Sequence, residues 1–415
     1  MLPYTGRAMD IEIRQMGEEH VDEFFRLHGA AFSEEIRPED IEVWGPELKT
    51  TRTFAAFEAD AMVGSTAAAS YQLTVPGPGQ VPCAGVLAVG VLPTHRRRGI
   101  LRRLMRRQLD DVHEQGQPTA YLWASEASIY QRFGYGVGSY MGSVNLRRTD
   151  VPFVRPIEPG GRVRIVEKDE AIKVMPTVYE AVRAHRPGFV TRDEGRWQDV
   201  FRDPEHHRDG ASSLFFAIHE TDAGADGFVA YRSKEDWAPS LGPNNTVEIE
   251  ELLTSTDDAY AALWRYVLDL DLVRTVKGFK RPADEPLLAM LLEPRAMDFS
   301  IRDGTWLRLV DVRAALEARG YASEERLVLQ LRDGFCSWNE GRWELEAGPE
   351  GASVKPSEAD TDLVLHVDDL AAMYLGAVSA RSLARARRIE GSPESVARAD
   401  ALFATAEAPW CPHIF

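Results

Sequence analysis

The sequence predicts a mixed α/β protein of the α+β class, built as three consecutive parts. Residues 1–155 alternate short apolar runs with amphipathic stretches at helical spacing, which indicates helices packed on one mixed sheet. Residues 156–297 repeat that plan faintly, and residues 298–415 read as strands followed by helices. The joints fall where proline and glycine cluster, at Pro156-Ile-Glu-Pro-Gly-Gly161 and around Glu293-Pro-Arg-Ala-Met297.

In the first part a helix is expected over residues 19–31, then a hairpin over 53–71 with Glu58, Ala59 and Asp60 at its turn. The apolar run from Val86 to Leu92 reads as a strand and ends at Pro93. Arg96, Arg97, Arg98 and Gly99 follow, and Ile100, Leu101, Leu104, Met105, Leu109 and Val112 then mark an amphipathic helix. The first N–H groups of a helix have no partners within it, and its dipole is positive at that end. Strand, basic glycine turn and helix together therefore prepare an anion site. Guanidinium groups add charge-assisted hydrogen bonds to phosphate oxygens. Two other readings of these arginines are a solvated helix face and a nucleic-acid patch. A nucleic-acid patch normally makes a whole domain basic. Here 48 Lys and Arg stand against 65 Asp and Glu, a net charge of −17.

Residues 120–123 read as a further strand. Ser125 is placed to cap a helix running through Tyr130 and Gln131, with Glu126 complementing its dipole and Gly134 ending it. In the middle part, strands at 214–219 and 228–233 flank Asp222-Ala-Gly-Ala-Asp-Gly227. A strand at 247–253 precedes a helix whose apolar stripe is Tyr260, Leu263, Trp264, Val267 and Leu268. Thr254-Ser-Thr-Asp-Asp258 stands where the first part has its basic turn, so this copy lacks the anion site. In the last part, Leu307 and residues 309–312 lead into a helix. Strands are expected at 326–332, 334–339, 342–346 and 362–366, a loop at 347–356, and helices at 368–375, 379–387 and 392–405.

The bulk properties bound the function. A chain of 415 residues exceeds one ordinary core. Hydrophobic residues at 44% and charged residues at 27% describe a globular protein. Cys83, Cys336 and Cys411 have neither metal-ligand spacing nor a disulfide pattern, which fits a reducing cytoplasm. No run approaches the roughly 20 apolar residues that span a bilayer, so no membrane insertion is expected.

The Arg96-Arg-Arg-Gly99 turn after Val89 and Val91, followed by Ile129-Tyr-Gln-Arg-Phe-Gly-Tyr135, resembles the GCN5-related N-acetyltransferases, GNAT for short. The three-part plan, the Thr94-His-Arg-Arg-Arg-Gly99 string and the Ser125 to Tyr135 string are similar to the enhanced-intracellular-survival (Eis) group of aminoglycoside acetyltransferases. The resemblance implies two GNAT-like domains, the second degenerate, and a sterol-carrier-protein-like domain from Asp298. It also implies acetyl-CoA as cosubstrate, no metal, and a homo-oligomer, a hexamer built from trimers. One departure stands out: the pattern usually has glycine or alanine two residues after the turn's central glycine, and here that residue is Leu101.

Acyl transfer to an amine needs the cosubstrate held, the carbonyl polarised, the amine deprotonated and the leaving thiolate protonated. The cosubstrate-binding candidates are Val89 and Val91 through their backbone, and Arg96, Arg97, Gly99 and Ile100 at the turn. Gly90 is expected to allow the cosubstrate's close approach. Tyr130 matches the group's general acid, and a phenol with an ordinary pKa near 10 suits a leaving thiolate. The other reading is a tyrosine bonded by its hydroxyl for packing. The tail Trp410-Cys-Pro-His-Ile-Phe415 is apolar where termini are normally polar and frayed, so it reads as docked. In the resembling group a terminal phenylalanine offers its α-carboxylate as base, and Phe415 matches that position. His413 is a second candidate, and packing alone is a third reading.

Trp44, with Phe32, Glu39 and Asp40 near it, Ala88 and His413 are the substrate-binding candidates; Ala88 would widen the pocket. His206 and His207 have no third ligand nearby in sequence. The expected partner is a small-molecule amine such as an aminoglycoside, with no nucleic acid. A protein or peptide lysine acetyltransferase is an alternative. So is a carrier of lipid or other apolar ligands acting through the last part.

Overall fold

The computed structural model describes residues 11–48, 51–147, 152–158, 160–239 and 242–415. Pro159, within the first proline–glycine joint, lies outside them. The first sheet has seven strands. Five are consecutive: β1 (Ile11–Gln15), β2 (Arg52–Glu58), β3 (Ala61–Thr74), β4 (Gln80–Val91) and β5 (Thr119–Trp123). Neighbours are antiparallel from β1 to β4, while β4 and β5 run parallel. Parallel neighbours need a crossover, which α3 (Ile100–Glu114) supplies. Its buried Ile100, Leu104, Met105, Leu109 and Val112 are the stripe expected from the sequence. Helix α1 (Val21–Phe32) covers β3 and β4, and α2 (Pro38–Leu48) packs on α1. Pro38, Glu39 and Asp40 open α2 with the residues a first helical turn favours.

The second sheet is also seven-stranded and repeats the plan. Strands Asn245–Thr254 and Val273–Pro282 are parallel, with helix Asp257–Leu268 between them as α3 lies between β4 and β5. The turn before that helix is closed by its own cap, the Thr256 side chain accepting from the Ala259 N–H, and Asp257 and Asp258 make it acidic.

The sheets exchange strands across the joints expected at 155/156 and 297/298. Tyr140–Arg147 joins the second sheet, flanked by Val273–Pro282 and Ser300–Asp303. Thr305–Leu309 returns to the first sheet and pairs with β5.

The last part holds a five-stranded sheet covered by helices Val367–Tyr374, Ala380–Arg385 and Pro393–Phe403. Two expectations fail here. Residues 334–339 form a turn and a short 3-10 helix, Ser337–Asn339, because Asp333 accepts from the Phe335 and Cys336 N–H groups and curls the chain. The expected loop over 347–356 instead contains strand Gly351–Pro356, hairpinned on Gly341–Gly348. One apolar core joins the last part to the first sheet, running from Tyr71, Cys83 and Tyr121 through Leu307 and Leu309 to Leu327, Leu345 and Leu370.

Candidate active site

A defect in β4 creates the site. Ala67 faces Leu87 and Ser65 faces Gly90, so Ala88 and Val89 together oppose Thr66. This is a β-bulge, and Ala88 sits in it at φ 53°. Pairing with β5 runs from Cys83–Thr119 to Val86–Leu122 and stops there. Past Val86 the two strands separate, leaving the backbone of Val89 to Val91 along an open slot. Behind the bulge, the Ser65 hydroxyl donates to the Ala88 carbonyl at 3.2 Å, and His28 Nε2 lies 3.2 Å from the same hydroxyl. Gly90 lines the cleft, and a Cβ there would also press on Ala31 at 3.3 Å, so its bareness lets α1 pack close on the strand as well.

The turn after β4 is built on positive-φ backbone, with Arg97 at 65° and Gly99 at 79°. Gly99 precedes α3, and the first intrahelical bond there comes from Arg103 N–H, so the N–H groups of Ile100, Leu101 and Arg102 have no partner within the helix. Glu58 braces the turn from the β2–β3 hairpin, accepting from Arg98 at 2.5 Å and pairing with His95 at 3.0 Å. Those two partners, Arg98 foremost, hold its carboxyl below the usual range. Arg96 donates to the Ala31 carbonyl at 3.1 Å, tying the turn to the end of α1.

Slot and turn open into one cleft of about 1030 Å³, lined by Val89, Val91, Arg96, Arg97, Gly99, Ile100 and Tyr130 among others. The structure thus brings the cosubstrate candidates and the candidate acid together. Leu101 lines the same cleft, half-buried against the core under α3. Arg102 and Arg132 also reach it, and the sequence reading missed both.

Tyr130 does not lie on the helix expected from Ser125. Two 3-10 turns, Ala127–Ile129 and Gln131–Phe133, meet at it, with no side-chain cap, and Gly134 ends the segment at φ 83° as expected. So short a segment, between Glu126 and Gly134, closes tight turns more readily than a regular helix. Tyr130 is 5% exposed, and burial first, then Glu126, raises its hydroxyl pKa to about 12. It remains protonated across the neutral range.

The C-terminal tail is docked. Trp123 Nε1 donates to the His413 carbonyl at 2.9 Å, and the Phe415 ring packs against Tyr71 and Tyr121. A Cβ on Gly85 of β4 would fall 3.1 Å from the Phe415 ring and closer still to Tyr71. Arg192, fully buried, clamps the tail from the second part. Its Nε donates to His413 Nδ1 at 3.2 Å, and its two terminal nitrogens hold Glu251 at 3.0 and 2.8 Å. Burial, then Arg192, keeps the His413 pKa well below its ordinary value. Phe415 and His413 flank β4 on the Gly85 side and are not among the residues lining the cleft.

Trp44 and Ala88 are not among those lining residues either. The Trp44 ring stacks on His207, and the Arg202 guanidinium lies over it. Phe32, on α1, does line the cleft. The structure supplies a third group for His206 and His207. Asp40 Oδ1 lies 3.2 and 3.6 Å from their Nε2 atoms. The same oxygen already accepts from Arg202 at 2.5 Å. A guanidinium so close opposes a second cation, and the cluster reads as a latch between α2 and the second part.

Residues 12–138 and 188–309 each match an acetyltransferase (GNAT) domain, and residues 312–412 match a sterol carrier protein domain. A Streptomyces avermitilis protein described as an uncharacterized N-acetyltransferase is 41% identical over 382 residues, 91% of this chain and 92% of that one. The N-acetyltransferase Eis of Mycobacterium tuberculosis is 33% identical over 395 residues, covering 92% and 94% of the two chains. The chain belongs to the Eis family of N-acetyltransferases. Eis1 from Mycobacterium abscessus superposes with a TM-score of 0.84 at 33% identity, over 98% of this chain and 100% of that one. As an Eis-family member the chain is an acetyltransferase, and GNAT domains use acetyl-CoA. The cleft suits that cosubstrate: unpaired helix N–H groups and several arginines face it at one end, and open strand backbone runs along it. Among the described residues no helix is long and apolar enough to cross a membrane.

Proposed function

We propose that the chain transfers the acetyl group of acetyl-CoA directly to a primary amine of small polyamine-like molecules, with aminoglycosides the expected class. The observation that carries this reading is the cleft shared by the basic turn and Tyr130. In it Arg96, Arg97, Gly99 and Ile100 hold the pyrophosphate, and backbone of Val89 and Val91 pairs with the pantetheine amides and polarises the thioester carbonyl. The amine nitrogen bonds to the acetyl carbon, its proton passes to the Phe415 α-carboxylate, the carbon–sulfur bond breaks, and Tyr130 delivers its proton to the sulfur. The depressed pKa of His413 makes it a poor base and favours the carboxylate. Chemistry of this kind needs no metal. Three buried, free cysteines suit a cytoplasmic setting, and a hexamer is carried over from the resemblance.

Thiol release from acetyl-CoA, measured with aminoglycosides, linear polyamines and a lysine peptide, tests this function. Turnover of the first two classes is expected. Bound acetyl-CoA with no turnover of any amine overturns the reading, and turnover of the peptide alone shifts it to a lysine acetyltransferase.

A further inference from the structure

The hydrogen bonds behind the bulge converge on the Ala88 carbonyl. The Ser65 hydroxyl has a single hydrogen and donates it to the Ala88 carbonyl. With that hydrogen committed, His28 Nε2 is assigned as a donor: it lies 3.2 Å from the Ser65 oxygen and is also hydrogen-bonded to the Ala88 backbone, so both side chains point their hydrogens at one carbonyl. The His28 ring is fixed in that pose by Phe24 on one side, 4.4 Å between centroids, and Phe32 on the other, 5.5 Å and nearly parallel. Ser65 is fully buried, so its hydroxyl has no bulk water to choose instead.

The acceptor on which they converge is the peptide joining Ala88 to Val89. A trans peptide points its N–H opposite to its C=O. The carbonyl is aimed at Ser65 on β3, so the Val89 N–H is aimed away from β3, toward the side where β5 has diverged. The left-handed backbone of Ala88 turns this one peptide out of the ladder's pattern. Donation to a carbonyl polarises the whole amide and strengthens the N–H at its other end.

We propose that His28 and Ser65 are positioning residues for acetyl transfer, orienting and polarising the Ala88–Val89 peptide so that its N–H is a strong donor to the thioester carbonyl. They touch neither acetyl-CoA nor the amine and act through the backbone. The proposal rests on the reading that Val89 faces the thioester. It also gives a purpose to the histidine and serine placed at the bulge between α1 and the sheet.

The test is the infrared carbonyl band of acetyl-CoA labelled at the acetyl carbonyl and bound to the full chain without amine, read together with steady-state kinetics. The band should lie below its free frequency. In Ser65→Ala and His28→Ala it should move back up, with kcat down about three- to tenfold and the acetyl-CoA KM within about twofold. His28→Gln, which keeps a donor, should recover part of both effects. A displaced band that Ser65→Ala and His28→Ala leave in place, with kcat unchanged, overturns the relay. A bound band at the free frequency in the unsubstituted chain overturns the placement of the thioester at Val89 itself.

Discussion

The ring of Phe415 lies over Gly85 of β4, at 3.1 Å from where any side chain there would begin. A bare position on a central strand thus seats the last residue of the chain. Gly85→Val should expel the Phe415 and Tyr71 rings, lowering kcat at least tenfold. Acetyl-CoA should still bind, because the turn lies elsewhere. Calorimetric titration beside the thiol-release assay checks this, and unchanged kcat would contradict it.

Adding one alanine after Phe415 removes its carboxylate while keeping its ring. Activity should fall by roughly two to three orders of magnitude if that carboxylate takes the amine's proton. Retained activity in the extended chain would falsify the assignment.

Tyr130→Phe removes the hydroxyl whose pKa burial raises to about 12. The expected loss is roughly 10²- to 10³-fold in kcat with acetyl-CoA affinity unchanged. A matching loss of affinity would mean the tyrosine builds the cleft rather than serving the chemistry.

Stability should depend on pH through the buried histidines. Burial holds His28 down to about 4 and His413 well below its ordinary value. Unfolded, both bind protons near 6.5. The unfolded chain therefore takes up more protons between pH 6.5 and 4, and stability present above that window is lost as pH falls through it. Urea midpoints at about pH 7.5 and about pH 5 read the slope. His28→Gln should flatten it, and an unchanged slope would rule out His28 as a source.

Arg308 and Asp333, both fully buried, form a 2.5 Å ion pair joining strand Thr305–Leu309 to the turn that precedes Ser337–Asn339. Asp333→Ala strands the guanidinium and should cost about 3–5 kcal/mol. Denaturant unfolding measures it, and a cost below about 1 kcal/mol would show the site rehydrates.

The turn was legible in the sequence because its parts are contiguous: a strand ending at Pro93, a glycine, and helical spacing from Ile100. Tyr130 was legible as a residue but not as a local structure, since a segment that short satisfies a helical pattern and a pair of 3-10 turns equally well. Ala88 gave no sign of its left-handed backbone, which glycine or asparagine would have signalled. Pro38-Glu-Asp did carry a helix-start signal for α2 that periodicity reading passed over. The exchange of strands between sheets and the meeting of Asp40 with Arg202, His206 and His207 arise from contacts distant in sequence, where no local pattern records them. Arg102 was one of seven arginines between Arg96 and Arg107, and Arg132 stands alone in its segment, where only the fold brings it to the cleft.

Thr305–Leu309 completes a sheet whose other central strands are encoded before residue 124, and the whole second sheet is encoded in between. During synthesis the N-terminal unit therefore emerges with β5 as an open edge and waits for most of the chain before closing. An isolated N-terminal fragment would carry that edge permanently and tend to aggregate through it.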